Sequence, residues 1–155
     1  MNTKIFLIAL SSIALAGICC AQSSDSTHKT APNNTPYTEG PVWTLTMIKT
    51  KAGLDDDYFR QISGTVKPVY DEEKKQKIIL DYKILTGDSF GPSDYNIIIM
   101  VEYPNMAALD GLRDKMDPIV AKVMGNEEQR RATAVKRLDV REILGTKTMR
   151  EITLR

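Results

Sequence analysis

Six polar side chains in the predicted strands of this chain are the first candidates for chemistry. Alternation along the strands places them on one side of a sheet, and we expect that side to face away from the helices: Thr44, Thr46, Asp81, Lys83, Asn96 and Glu102. Asp81 or Glu102 can act as a general base, and the charge of Lys83 can tune either carboxylate. The alternative is a hydrogen-bonded network at a dimer interface or a solvated rim. We favour this alternative, because structural ion pairs also perturb carboxylates.

The residue types of the predicted domain exclude several kinds of site. The one histidine, His28, lies in a polar segment before the first strand, and the two cysteines lie at the end of a predicted signal sequence. Haem ligation by histidine, catalysis by histidine or cysteine, disulfides and cysteine-bound metals are therefore excluded from the domain. Three consecutive aspartates from Asp55 suit the first turn of a helix better than a calcium site. We predict no metal and no cofactor.

The first 41 residues predict export. Residues 1–21 combine Lys4, an apolar run and a small-residue cleavage site after Ala21, which is the pattern of a signal peptide. The apolar run is short for a membrane span of about 20 residues, so we predict no transmembrane span in the mature protein. Lipidation at Cys19 or Cys20 is the alternative, although the bulky Ile18 precedes the first of these. We expect a periplasmic or secreted protein with a disordered linker at residues 22–41.

The net charge and the turn-rich segment limit the kinds of partner that we expect for this protein. The formal net charge is +1 and the charges are mixed along the chain, which gives no reason to expect nucleic acid. The turn-rich segment TGDSFGPSD lacks the lysine and the following helix start of a phosphate-binding loop.

The hydrophobic pattern predicts an α+β domain at residues 42–155. Two apolar strands, from Ile78 to Leu85 and from Asn96 to Tyr103, are joined by the turn-rich segment. Before them we predict a strand at 42–50 and a helix from Asp55, which is bent or broken near Gly64 and Pro68 and has a solvated end at 71–77. After them we predict a helix that is capped by Asn105 and bent near Pro118, and a short helix at 127–138. The last element is a strand at 140–154, which is interrupted at Gly145 or replaced by helix through Ile143 and Leu144. This β-α-β-β-α-β order is the ferredoxin-like arrangement, an antiparallel sheet with helices on one face.

Both central strands are apolar on both faces, which one helix layer cannot cover. The stretches WTLTMIKTKAGLDDDYF, LDYKILTGD, YNIIIMVEYPNMAALDGL and VREILGTKTMREI resemble the dimeric α/β-barrel superfamily, and within it an uncharacterised group of exported bacterial proteins. The resemblance covers roughly residue 42 to the C-terminus. It implies that two ferredoxin-like sheets meet face to face in a homodimer.

The resemblance also implies a pocket for a small, partly apolar ligand between the sheet and its helices. Tyr58, Tyr70 and Tyr82 are the aromatic candidates to line it, and plain core packing is the alternative for each. The expected function is non-catalytic ligand binding by a homodimer. The alternatives are a cofactor-independent enzyme, monooxygenase-like or isomerase-like, and a purely structural or partner-binding domain.

Overall fold

The computed structural model of the protein describes residues 34–155. The predicted signal peptide and most of the predicted linker lie outside the described residues. The described elements are β1 (Tyr37–Thr50), α1 (Asp55–Lys75), β2 (Asp81–Thr86), β3 (Ile97–Tyr103), a short 3₁₀ helix (Met106–Leu109), α2 (Leu112–Met124), α3 (Glu127–Leu138) and β4 (Arg141–Leu154).

The four strands form one sheet in the order β2-β3-β1-β4, and every neighbouring pair is antiparallel. This order, with α1 between β1 and β2 and the other helices between β3 and β4, is the ferredoxin-like topology. The predicted fold class is therefore confirmed. β1 begins at Tyr37, five residues before the predicted strand.

One face of the sheet carries the core. Val42 and Ile48 of β1 are buried and pair with the buried Tyr103 and Ile97 of β3. Helix α1 covers this face with side chains that recur at helical spacing, and α2 adds one more: Tyr58, Ile62, Val69 and Ile119. Burial of this continuous apolar set is the main force that holds the helices on the sheet.

The predicted orientation of β1 is wrong. Thr44 and Thr46 pair with Val101 and Ile99, which are buried in the core, so both threonines lie on the face that the helices cover. The strand's more apolar residues lie on the opposite face: Trp43, Leu45 and Met47. The error arose because alternation shows that a strand has two unlike faces, but only the pairing with β3 decides which one meets the helices.

Helix α1 differs from its prediction in two respects. It runs unbroken from Asp55 to Lys75 and contains both Gly64 and Pro68. Its last turn was predicted to be solvated, yet Glu73 is 0% exposed. The next strand starts at Asp81 rather than Ile78, because Lys77 takes a left-handed conformation with φ of 59° and turns the chain.

The predicted cap at Asn105 and the predicted strand irregularity are confirmed. The Asn105 side chain accepts a hydrogen bond from the backbone N–H of Ala108 at 3.0 Å, at the start of the 3₁₀ helix. In β4, the pairing shifts by one residue where Gly145 lies opposite Met47 and Ile143 lies opposite Ile48. An extra residue on one strand of an antiparallel pair is a β-bulge.

The second face of the sheet is apolar, and no described element covers it. We call it the outer sheet face. Its members come from all four strands: Leu85, Ile98, Met100, Trp43, Leu45, Met47 and Met149. Leu85 and Met149 are 49% and 52% exposed, and the others are half-buried by their neighbours. The expectation that one helix layer leaves the other sheet face uncovered therefore holds for the described chain.

Candidate functional site

A groove runs between α1 and the edge strand β2 on the helix side of the sheet. Its volume is about 340 Å³, and it is lined by Phe59, Ile62, Ser63, Lys67, Tyr82 and Ile84. Two aromatic rings and two isoleucines make its walls apolar. A volume near the lower end of the range for small-molecule sites, with a few polar groups at the rim, suits a small, partly apolar ligand.

The polar rim of this groove is a short chain of charged and hydroxyl groups. The Tyr82 hydroxyl donates a hydrogen bond to Asp71 at 2.8 Å, and the Lys67 ammonium donates to the same carboxylate at 2.5 Å. The bond from Lys67, and then that from Tyr82, lowers the pKa of Asp71. Burial, and then the bond to Asp71, raises the pKa of Tyr82 to about 12. Tyr82 therefore stays a neutral phenol at physiological pH.

The three tyrosines predicted to line a pocket do not line the groove together. Tyr82 alone lines the groove. Tyr58 is 2% exposed in the core, and Tyr70 lies behind Tyr82 with its ring centroid 5.1 Å away at 47°. Burial raises the pKa of Tyr58 and of Tyr70 above the ordinary value.

The charged candidates on the strands lie on the outer sheet face. Asp81 lies opposite Glu102, which in turn lies opposite Trp43. The Lys83 ammonium is 5.2 Å from the centroid of the Trp43 ring, a cation–π distance. The Lys74 ammonium donates to Asp81 at 2.6 Å and lowers the pKa of that carboxyl. An exposed carboxyl held in its ionised form by a lysine has the features of a structural ion pair.

Asn96 belongs to a different cluster, at the start of α1. Its amide nitrogen donates to Thr50 Oγ1 at 2.6 Å and to Asp55 Oδ1 at 2.9 Å, and its oxygen accepts from the Thr50 backbone N–H at 3.0 Å. The Thr50 hydroxyl also donates to Asp55. These bonds join the ends of β1, β3 and α1 into one satisfied network, which we call the Asn96 network.

Glu73 is a candidate that sequence reasoning missed. It is 0% exposed, neither carboxyl oxygen has a hydrogen-bond partner among the described residues, and burial raises its pKa to about 7. Its carboxyl is close enough to raise the pKa of Tyr70 and Tyr103 further. The signal was its spacing, because Tyr58, Ile62, Val69 and Glu73 follow each other at steps of four, seven and four residues on one helix face. The charged residues next to Glu73 in the sequence favoured the interpretation of a solvated helix end.

No three histidine, cysteine or acidic side chains of residues 34–155 come together in a way that would hold a metal ion. No described helix is both long and apolar enough to cross a membrane.

Comparisons with known proteins found similarity only among solved structures. No family model matches the chain, and no curated protein does. HapK from Hahella chejuensis is 7% identical over 71% of this chain and 91% of its own, with a TM-score of 0.46. A NIPSNAP family protein of unknown function from Agrobacterium tumefaciens is 10% identical over 75% and 90%, with a TM-score of 0.47.

A dimeric ferredoxin-like protein from an uncultured marine organism is 14% identical over 74% of this chain and 97% of its own, with a TM-score of 0.45. The fold assignment itself rests on the strand order and pairing of this chain, which is a ferredoxin-like domain.

Proposed function

We propose that this protein is a non-catalytic homodimeric binding protein for a small, partly apolar ligand, and that the ligand occupies the groove between α1 and β2. The observation that carries the proposal is the apolar groove with a polar rim at one side. Phe59 and Tyr82 offer ring faces to an aromatic or aliphatic body. Lys67 and the Tyr82 hydroxyl offer donors to a polar group of the ligand.

The chemistry of the rim favours binding over catalysis. Asp71 is bonded by both Lys67 and Tyr82, and its lowered pKa makes it a weak base. Tyr82 has a raised pKa and holds its proton. Neither group is matched to proton transfer near neutral pH, whereas both can orient a ligand.

Native mass spectrometry of the mature protein purified from its own host tests the ligand. Ser63 is exposed and lines the groove, so Ser63→Trp fills the groove without entering the core. Ser93→Trp, at an exposed loop position outside the groove, is the matched control. We expect a reproducible extra mass on the wild type and on Ser93→Trp that is lost from Ser63→Trp. No extra mass on the wild type, or an extra mass that survives Ser63→Trp, would refute the proposal.

The outer sheet face supports the homodimer. Apolar side chains from four adjacent strands form one continuous surface, and a large apolar patch on a protein surface marks an interaction site. A second copy of the same sheet is the complementary occupant, because an isologous interface needs a self-complementary patch. Apolar contact at the centre, with Asp81 and Lys83 of opposite charge at one side, meets that need.

Light scattering at micromolar concentration tests the dimer. Met47→Glu places a charge on the outer sheet face opposite Ile98 and Gly145, where no basic residue faces it, and we expect it to convert a dimer to a monomer, since an unpaired buried charge is strongly unfavourable. Leu138→Glu is the control, because Leu138 is 62% exposed on α3, away from that face. A monomeric wild type, or a Met47→Glu variant that stays dimeric, would contradict the proposal.

Export completes the proposal, with removal of residues 1–21. The intact mass of the exported protein should correspond to a chain that begins at Gln22. A mass that carries a lipid on Cys19 or Cys20 would replace plain cleavage by membrane anchoring.

A further inference from the structure

Two arginines come together on the helix side of the sheet, where β4 begins. Arg137 lies in the last turn of α3, and Arg141 is the first residue of β4. Arg141 pairs with the buried Thr50, which places its side chain on the face that the helices cover. Both guanidinium groups approach α1: Arg137 Nη2 donates to Thr65 Oγ1 at 2.7 Å, and the Arg141 guanidinium carbon is 5.9 Å from the centroid of the Tyr58 ring.

Each of these side chains has a hydrogen-bond partner but no carboxylate: Arg137 donates to Thr65, and Arg141 is hydrogen-bonded to the Tyr58 side chain. The Nε of Arg137 and the Nε of Arg141 are shielded from solvent and have no hydrogen-bond partner. Neither guanidinium forms an ion pair with any carboxylate in residues 34–155. Arg130, whose Nε is also unpartnered, differs because its guanidinium lies 3.8 Å from Asp117.

The electrostatics of the pair are unfavourable as they stand. Burial lowers the pKa of Arg137, and the positive charge of Arg141 lowers it further. Two like charges at half-buried positions, each with a shielded and unused Nε–H donor, are destabilising unless an anion accepts from them. Asp55 lies near the same end of the sheet, but its Oδ1 is engaged in the Asn96 network.

We propose that Arg137 and Arg141 form a binding site for a small oxyanion, of the carboxylate or phosphate class, between α1, α3 and the start of β4. A guanidinium presents its Nε–H and one Nη–H along one edge, and this edge matches two oxygens of such an anion. Two guanidiniums from different elements neutralise one anion and gain the two missing Nε–H acceptors. The site shares no residue with the groove between α1 and β2, so it stands independently of the proposed ligand.

Arginine side-chain NMR tests the site directly, because the Nε–H resonance of each arginine reports its own hydrogen bonding. Full-length mature protein is titrated with inorganic phosphate, and separately with acetate, against sodium chloride at equal ionic strength. We expect saturable shifts of the Arg137 and Arg141 Nε–H resonances, and none at Arg131, an exposed arginine of the same helix. The anion that gives the tighter saturation identifies the class.

Variants separate a built site from a general ionic effect. We expect Arg141→Lys, which keeps the charge and loses the paired donors, to weaken binding at least tenfold as measured at Arg137, and Arg137→Gln to do the same as measured at Arg141. Arg131→Gln should bind like the wild type. Circular dichroism establishes that each variant is folded. Unsaturable shifts, equal shifts at all three arginines, or unchanged binding by Arg141→Lys would overturn the proposal.

Discussion

The two ends of α1 handle a carboxylate in opposite ways. At the start of the helix, Asp55 accepts hydrogen bonds from Asn96 and Thr50 and lies at the positive end of the helix dipole. At the other end, Glu73 is fully buried, has no partner and has a pKa of about 7. The same side-chain chemistry on one helix is thus stabilised at one end and strained at the other.

The difference distinguishes polar residues that stabilise the fold through hydrogen bonds from a polar residue that has no hydrogen-bond partner. The Asn96 network fixes the ends of β1, β3 and α1, and every donor in it has an acceptor. Removing a member of such a network leaves the others unsatisfied in a half-buried place. Glu73 has no hydrogen-bond partner among the described residues, so replacing it leaves no donor or acceptor there unsatisfied.

The largest effect that sharpens this contrast is the pH dependence of stability. The folded-state pKa of Glu73 is raised from 4.5 to about 7, so its contribution is present below pH 4.5 and is lost as the pH rises to about 7. Relative to Glu73→Gln, we expect the wild type to lose about 3 kcal/mol of unfolding free energy across this range. Urea unfolding at pH 4.5, 6 and 8 measures the difference.

Glu72→Gln is the matched control for that experiment. A hydrogen bond from Gln76 lowers the pKa of Glu72, so its contribution is present above the unfolded-state pKa and is lost as the pH falls. The difference between wild type and this variant should therefore have the opposite sign and be small. A Glu73→Gln variant that follows the wild type at every pH would break the comparison.

At the other end of α1, Asn96→Ala should destabilise the protein by about 2 kcal/mol, because it removes three hydrogen bonds and leaves partners unsatisfied. The midpoint of urea unfolding measures the loss. A loss below about 0.5 kcal/mol would mean that water replaces the amide without penalty.

Asp55→Asn isolates the charge from the hydrogen bonds at the same position. The amide keeps an acceptor for Asn96 and loses the negative charge at the helix start, so we expect a loss of about 0.5 kcal/mol. Thermal unfolding at low and high salt measures it, and the loss should shrink as salt screens the dipole. An effect as large as that of Asn96→Ala would show that the charge, rather than the bonding pattern, holds the network.

The smallest effect is expected for Lys74→Met. Lys74 is the neighbour of Glu73 and pairs with Asp81, with both side chains well exposed. Exposed ion pairs contribute little, so we expect a change within about 0.5 kcal/mol. Equilibrium unfolding measures it, and a larger loss would place Lys74 in the packing of the helix end rather than in a surface pair.

The order of elements could be predicted from the sequence because it depends on local pattern. The β3 strand, from Ile97 to Tyr103, was recognisable as a run rich in β-branched residues, and the cap at Asn105 as a short polar side chain before a helix. The irregularity at Gly145 was legible for the same reason, since glycine in a strand marks a bulge.

The candidate site was only partly predictable. Tyr82 lines the groove, whereas Tyr58 is core and Asn96 belongs to a structural network. Phe59, Ser63 and Lys67 line the groove only because α1 lies beside the edge strand. Their residue types alone do not predict this position.

By itself, the sequence determined the βαββαβ order, the absence of histidine and cysteine from the domain, and two apolar faces on the central strands, because each follows from residue identity and short-range spacing. The tertiary structure decided which face of β1 meets the helices, which places Thr44 on the helix side and the row of Trp43, Leu45 and Met47 on the outer sheet face. It also decided that Glu73 is buried and that Arg137 and Arg141 meet. Those outcomes depend on pairing between strands and on packing between distant segments, and no local pattern encodes either one.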